Sequence, residues 1–249
     1  MIKLTETIED FYDFCKDDPF GTRIASLFLT YGSDCRFADF WYQKIDNNIT
    51  TAIAKVSGDI TLCLCNDTDF QELNEFLNVI GYQSLTYNSD FSEKLCVTPS
   101  DGGLIVEFSD TPTQYDAPIK NYAELSEVYD LISSQGVGFL TDKLAWIADI
   151  SYRLKHNTAK LGVIFEENRL AACAMILFET PDNAFLGAVA TYPQYRGKGY
   201  SRKILHYLLK NNKKSFLFCR ENGIISFYRE VGFKPIGKFS VEYHNEQLF

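Results

Sequence analysis

Hydrophobic positions recur every three or four residues in some stretches of the chain and fall into short β-forming blocks in others, and that contrast divides it into elements. Ile8, Phe11, Tyr12 and Cys15, then Ile24, Leu27 and Phe28, predict two short helices near the start. Strand-like runs follow at Phe37–Gln43, Thr51–Val56 and Ile60–Cys65, with Ser57-Gly58-Asp59 as a hairpin turn between the last two. Phe70, Leu73, Phe76, Leu77 and Ile80 return to helical spacing, Gly81 ends that helix, and Tyr82–Tyr87 is extended. From about Asp90 to Lys120 the helical period lapses. Pro99–Gly103 and Ser109–Thr113 are turn clusters there, flanking a short strand at Leu104–Phe108, and a domain boundary is expected in this region.

Beyond the boundary the pattern predicts helices at 122–134 and 142–156, the second with Leu144, Ile147, Ile150 and Leu154 on one side. Strands at Leu161–Phe165, Leu170–Phe178 and Ala184–Thr191 form an antiparallel meander through turns at Glu166–Arg169 and Pro181–Asn183. A helix at about 199–210, a strand at Ser215–Cys219, a helix at Gly223–Val231 and a strand from Phe233 complete an α-α-β-β-β-α-β-α-β order. Two domains are expected, at residues 1–111 and 112–249.

Composition narrows the function classes. With 46% hydrophobic residues in 249 the chain can bury one large or two modest cores, so disorder is not expected. The longest apolar run, Leu170–Phe178, is too short for a membrane span, and the acidic, amphipathic start lacks a secretory signal, so a cytoplasmic protein is expected. The seven cysteines never adopt a C-x-x-C spacing, and His156, His206 and His244 are not paired as ligands, so no metal is expected and the histidines are read as surface residues. Cys63 and Cys65 would share one strand face; a soft metal or core packing would both fit, and packing is preferred.

The net charge of −9 argues against a nucleic-acid binder. It is unevenly spread: residues 1–111 hold 7 basic and 19 acidic side chains, a net −12, and the remainder 17 and 14, a net +3. A mildly basic second half suits an anionic ligand, and an acidic first half a cationic one or simple solubility.

Chemistry concentrates where the third strand of the meander, ending in Val189-Ala190-Thr191, runs through Tyr192-Pro-Gln-Tyr-Arg196-Gly197-Lys198-Gly199 into a helix opening at Tyr200-Ser201. A helix start offers free N–H groups and a partial positive charge, small residues let a phosphate approach the backbone, and Arg196 and Lys198 add cationic reach. Ile204, Leu205, Leu208 and Leu209 would anchor that helix, with Arg202, Lys203, His206 and Lys210 on its other side. A plain strand–turn–helix junction is the alternative reading.

This stretch resembles the coenzyme A loop of the GNAT acetyltransferases, whose Gln/Arg-x-x-Gly-x-Gly/Ala pattern is met by Arg196 and Gly199, with Ser201 departing from Gly/Ala at the last place. Cys219–Phe233 resembles the same family's closing motif, a strand and then a helix carrying Tyr228 four residues before Gly232-Phe233. The resemblance covers about residues 115–245. It implies an α+β fold, α/β/α layered on a mixed and mostly antiparallel sheet, and N-acyl transfer from acetyl-CoA to a primary amine of a small molecule or peptide. Arg196, Gly197, Lys198, Gly199, Tyr200 and Ser201 would hold the diphosphate, Val189, Ala190 and Thr191 the pantetheine arm, Asn222 would approach that arm, and Tyr228 would be the general acid. The family often places a carboxylate on the strand that here is Ala184–Thr191, which has no Asp, Glu or His; water, Glu179, Asp182 or Tyr192 are the remaining bases.

Asp59–Thr86 echoes Ser215–Lys238 in its run of strand, turn, helix and Gly-aromatic, with Leu77 where the later copy has Tyr228. This predicts a tandem arrangement whose degenerate first half binds no coenzyme A and shapes an acceptor cleft. A non-catalytic acyl-CoA sensor is the second functional reading. Aminoacyl transfer from tRNA is disfavoured by the acidity of the chain.

Overall fold

Local chemistry explains most element boundaries in the computed structural model, which describes residues 1–136, 142–210, 213–220 and 224–244. The first half runs β1 (Ile2–Leu4), α1 (Tyr12–Cys15), α2 (Pro19–Tyr31), β2 (Ala38–Ile45), β3 (Asn48–Val56), β4 (Asp59–Leu64), α3 (Phe70–Ile80), β5 (Ser84–Asn88), α4 (Ser92–Leu95) and β6 (Asp101–Phe108). Asp18 caps α2 by accepting the amides of Phe20 and Gly21, each at 2.8 Å, with Pro19 in the first turn. Gly81 closes α3 at φ 59°, in the left-handed region where a side chain is costly.

The second half runs α5 (Leu125–Ser133), α6 (Lys143–Lys155), β7 (Lys160–Glu166), β8 (Arg169–Glu179), β9 (Asn183–Thr191), α7 (Tyr200–Leu209), β10 (Lys214–Cys219), α8 (Ile225–Val231) and β11 (Phe233–Tyr243). Two units emerge: Met1–Val106 with Phe218–Ile225 and Pro235–Phe249, and Glu107–Leu217 with Ser226–Lys234.

In the first unit the strand order is β1-β2-β3-β4-β5-β11-β6. β1 to β4 pair antiparallel, β4 and β5 parallel, and β5 and β11 antiparallel. Ile53, Ile60, Leu62, Leu85 and Tyr87 pack with Leu73 and Leu77 of α3, and with Phe91 and Leu95. Phe28 of α2 meets Phe40 edge-on at 5.0 Å and Phe11 at 5.6 Å. Cys63 is buried, and its thiol donates to Asp18 Oδ1 at 3.3 Å.

The sequence places Asp101–Gly103 in a turn, whereas they begin β6. The reason is close backbone approach: a Cβ on Gly102 would sit 2.6 Å from the Phe239 carbonyl oxygen, and one on Gly103 2.4 Å from that of Cys219. The glycines are therefore strand residues that let neighbours come near, not turn makers. β1 and α4, of three and four residues, are too short to produce a period, and the sequence reading lacks them.

The second unit is layered α/β/α around β10-β9-β8-β7. The meander is antiparallel, and β9 and β10 are parallel. Leu161 and Val163 of β7, Leu170, Cys173 and Met175 of β8, and Ala190 of β9 pack with Val128, Leu131 and Ile132 of α5 and Trp146 and Ile150 of α6. The alternate residues of β7 face α7: a Cβ on Gly162 would lie 2.6 Å from Ile204 Cγ2. Burial of Ile204, Leu205, Leu208 and Leu209 anchors α7 as its apolar stripe predicts.

His206, expected at the surface with the basic residues of α7, is instead buried. Its Nδ1 accepts the Thr113 amide at 3.1 Å, and the rings of Tyr115 and Phe108 lie 5.4 and 6.0 Å away. The segment 108–115 covers this face of α7, which helical periodicity alone does not reveal. His156 and His244 are exposed, as expected.

Each unit contains one parallel β-α-β crossover, β4-α3-β5 in the first and β9-α7-β10 in the second. The internal echo therefore runs in a different register from the sequence reading. Asp59–Leu64 corresponds to β9, not β10, and α3 to α7, not α8, because a strand's place is set by its pairing partner, which local composition does not encode.

Candidate functional site

The β9–α7 junction is built from two left-handed glycines. Gly197 has φ 79° and Gly199 φ 72°, and a Cβ at either would meet no atom within 4 Å. Backbone conformation, rather than lack of space, is what requires glycine here. Gly199 is the N-cap of α7 and supplies no side-chain cap. Pro193 and Thr191 carbonyls are used by Arg196, through its amide at 3.3 Å and its Nε at 3.3 Å, and Lys203 N–H reaches the Gly199 carbonyl at 3.1 Å. Among the described residues, the amides of Gly197, Lys198, Gly199, Tyr200 and Ser201 have no acceptor. Consecutive free N–H groups at a helix start, with open space above two glycines, fit a diphosphate.

The equivalent loop of the first unit, Cys65–Asp69, is closed on itself. Cys65 N–H donates to Thr68 Oγ1 at 3.2 Å, Thr68 N–H to the Cys65 carbonyl, Asp69 N–H to Gln43 Oε1, and Glu72 N–H to the Asp69 carboxylate. Side chains there take the amides of Cys65, Asp69 and Glu72, and the added charge is negative.

The side chains of the open loop are held by neighbours. Arg196 Nη2 donates to Gln135 Oε1 at 2.7 Å. Lys198 Nζ donates to Glu166 Oε1, and the Tyr200 hydroxyl to Glu166 Oε2 at 2.6 Å. Lys198, followed by Tyr200, holds the Glu166 carboxyl below its ordinary range, and Glu166 in turn raises both of its donors. Ser201 Oγ and Thr191 Oγ1 lie 2.7 Å apart, tying the end of β9 to the first turn of α7. The departure at residue 201 therefore contributes a hydrogen bond within the junction.

β9 pairs with β10 from Asn183 to Leu186, so among the described residues the edge of Gly187–Thr191 on that side has no strand partner in this unit. On the β8 side the register steps from Cys173–Ala190 to Met175–Gly187, an extra residue in β9. Ala188, at φ 53°, lies in this bulge, and its carbonyl accepts the Cys173 thiol at 3.4 Å. Bulges re-aim backbone groups near active sites, and a left-handed non-glycine residue costs on the order of 1–3 kcal/mol. The sequence reading includes Val189, Ala190 and Thr191 but lacks Ala188, Gln135 and the role of Glu166. The sequence signal for the first is the small pair Gly187-Ala188 in a strand of larger residues.

Tyr228 is buried on α8, its ring edge-on to Phe233 at 5.9 Å, and its carbonyl accepts the Gly232 amide at 3.2 Å. Two residues on, Glu230 takes the Arg202 guanidinium, which ties α8 to the helix that follows the open loop. Asn222 lies outside the described residues.

Of the bases considered, Glu179 Oε1 accepts Lys160 at 2.7 Å and Lys213 at 2.8 Å, at the end of the meander remote from Thr191. Tyr192 is raised above the ordinary tyrosine value by burial, then by Asp130, which keeps its hydroxyl protonated and leaves still less phenolate to take up a proton at neutral pH. Asp182 is exposed in the β8–β9 turn.

Residues 125–233 match the model of the acetyltransferase (GNAT) family. The uncharacterized N-acetyltransferase ycf52 of Porphyra purpurea is 25% identical over 126 residues, covering 44% of this chain and 72% of that protein. A tandem GNAT protein from the clavulanic acid biosynthesis pathway, solved without AcCoA, superposes with a TM-score of 0.56 at 11% identity and covers 98% of both chains. A putative GNAT-family acetyltransferase of Novosphingobium aromaticivorans gives 0.58 at 14%, over 91% of this chain and 96% of its own. Residues 125–233 are thus similar to the GNAT acetyltransferase family, and the chain as a whole has a tandem GNAT fold.

Proposed function

We propose that this protein is an N-acyltransferase that moves an acetyl or similar group from coenzyme A to a primary amine of a small molecule or peptide, with residues 112–249 as the catalytic part. The observation that carries the reading is the row of amides from Gly197 to Ser201 that have no acceptor among the described residues, next to a strand edge that has no strand partner among them in its unit. Coenzyme A brings the acyl group as an activated thioester. Gly197, Lys198, Gly199, Tyr200 and Ser201 bind its diphosphate through the backbone, with Arg196 beside them, and Val189, Ala190 and Thr191 offer strand-type hydrogen bonds to its arm. The Ala188 bulge aims main-chain N–H groups away from the ladder, where they stabilise negative charge developing on a carbonyl oxygen. Tyr228 holds a proton for the departing thiolate, since a phenol and a thiol are of roughly comparable basicity.

β9 carries no Asp, Glu or His, so deprotonation of the amine falls to water, or the amine binds already neutral. That absence favours the second reading, an acyl-CoA sensor without turnover. The Cys65–Asp69 loop, whose Cys65 and Asp69 amides are already engaged by side chains, supports a first half, residues 1–111, that binds no coenzyme A. Incubating the protein with acetyl-CoA and a panel of amines, and following free thiol, separates the readings. Thiol release with matching acetylated amine is expected; calorimetric binding without release from any amine supports the sensor.

A further inference from the structure

Glu166 ends β7 at a two-residue turn in which Glu167 and Asn168 are both left-handed, with φ 49° and 62°, and it pairs across the hairpin with Arg169. The hairpin delivers its carboxylate to the loop after β9, where the two oxygens take donors from either side of Gly199: Lys198 Nζ and the Tyr200 hydroxyl. The rings of Tyr195 and Tyr200 flank the same ammonium at 5.5 and 5.9 Å. The other cations nearby are also engaged, Arg196 by the neutral Gln135 and Arg202 by Glu230.

We propose that Glu166 is a counter-charge that sets the affinity of this loop: it occupies Lys198 and Tyr200 in the free protein, and an incoming diphosphate competes with it for the lysine. The inference rests on the coenzyme A reading. A polyanion approaching the free amides meets a carboxylate already bound to the cation best placed to attract it, so Lys198 contributes little net field. Binding then depends on the preorganised amides more than on charge. Lys198 and Tyr200 keep Glu166 ionised through the neutral range, which sustains the effect at working pH.

The test is a calorimetric titration of coenzyme A into wild type, Glu166→Gln, Lys198→Met and the double variant, at about 50 mM and about 500 mM salt, which changes the screening length roughly threefold. Glutamine keeps an acceptor for Tyr200 and removes the charge. Glu166→Gln is expected to bind about three- to tenfold more tightly than wild type at low salt, with the gain shrinking at high salt. In the Lys198→Met background the same substitution is expected to change affinity by less than about twofold, since coupled residues are non-additive. Unchanged or weaker binding by Glu166→Gln at low salt overturns the proposal, as does an equal gain without Lys198. Absence of heat from all four proteins removes the coenzyme A reading, and this inference with it.

Discussion

The Cys173 thiol donates to the Ala188 carbonyl at 3.4 Å, at the place where β9 carries one residue more than β8 opposes. The bulge takes this carbonyl out of the regular ladder, and the thiol gives it a partner. Burial pushes the Cys173 pKa up to about 12, so the sulfur keeps its proton at neutral pH and remains a donor. Cys173 is thus a support for the bulge and a poor nucleophile.

Replacing Cys173 by valine removes the donor and adds about a methyl group's volume to a fully buried site. The Ala188 carbonyl is part-buried, and an acceptor left without a partner costs at most about 1–3 kcal/mol, so Cys173→Val should lower unfolding stability within that range and reduce kcat, with a smaller change in KM for acetyl-CoA. Serine restores the donor and should recover much of the turnover. Denaturant unfolding and steady-state kinetics on both variants check this.

Gly199→Ala puts a Cβ on a backbone at φ 72°, where an L side chain costs roughly 1–2 kcal/mol. The space around it is open, so the cost is conformational, and relaxing it moves the amides of Lys198, Tyr200 and Ser201. Coenzyme A affinity should fall about tenfold or more, equivalent to about 1.4 kcal/mol, while stability falls by about 1 kcal/mol. Calorimetry with a parallel melt reads both; unchanged affinity would exclude this loop from the binding site.

Tyr228→Phe removes a hydroxyl and keeps the ring against Phe233. If the phenol protonates the leaving thiolate, turnover should drop at least about tenfold with coenzyme A affinity nearly constant. An unaltered rate would leave Tyr228 a packing residue.

His206 links stability to acidity. Its pKa lies below the usual 6.5, first through burial and then through Arg202, with Asp110 acting the other way. The unfolded chain therefore binds this proton more readily than the folded one. The stabilising contribution is complete above pH 6.5 and is lost as pH falls below it, where an imidazolium can no longer accept the Thr113 amide. Urea midpoints measured from pH 7.5 down to 5 should fall in wild type, and part of that fall should be absent in His206→Gln.

The amphipathic helices were legible because burial on one side leaves a period: α3, α6 and α7 begin and end within a residue or two of where their apolar stripes and caps place them. The cradle was legible for a similar reason, since Arg196-Gly-Lys-Gly199 is local and its backbone conformation follows from glycine. Glu166 was not, because it stands 32 residues from Lys198, and nothing in a Glu-Glu-Asn turn announces which loop it will face. His206 failed in the opposite sense: its polar neighbours on the helix suggested solvent, and a covering segment more than 90 residues earlier in the chain decided otherwise.

By itself the sequence determined the longer elements and their order, the glycine loop that opens α7 and the contrast between an acidic and a mildly basic half, all of which are written in the local residues. Tertiary structure alone decided the register of the repeat, the Ala188 bulge with its Cys173 support and the carboxylate on Lys198. Strand pairing and side-chain capture join residues far apart along the chain, and their energies depend on which surfaces meet, so no local pattern carries them.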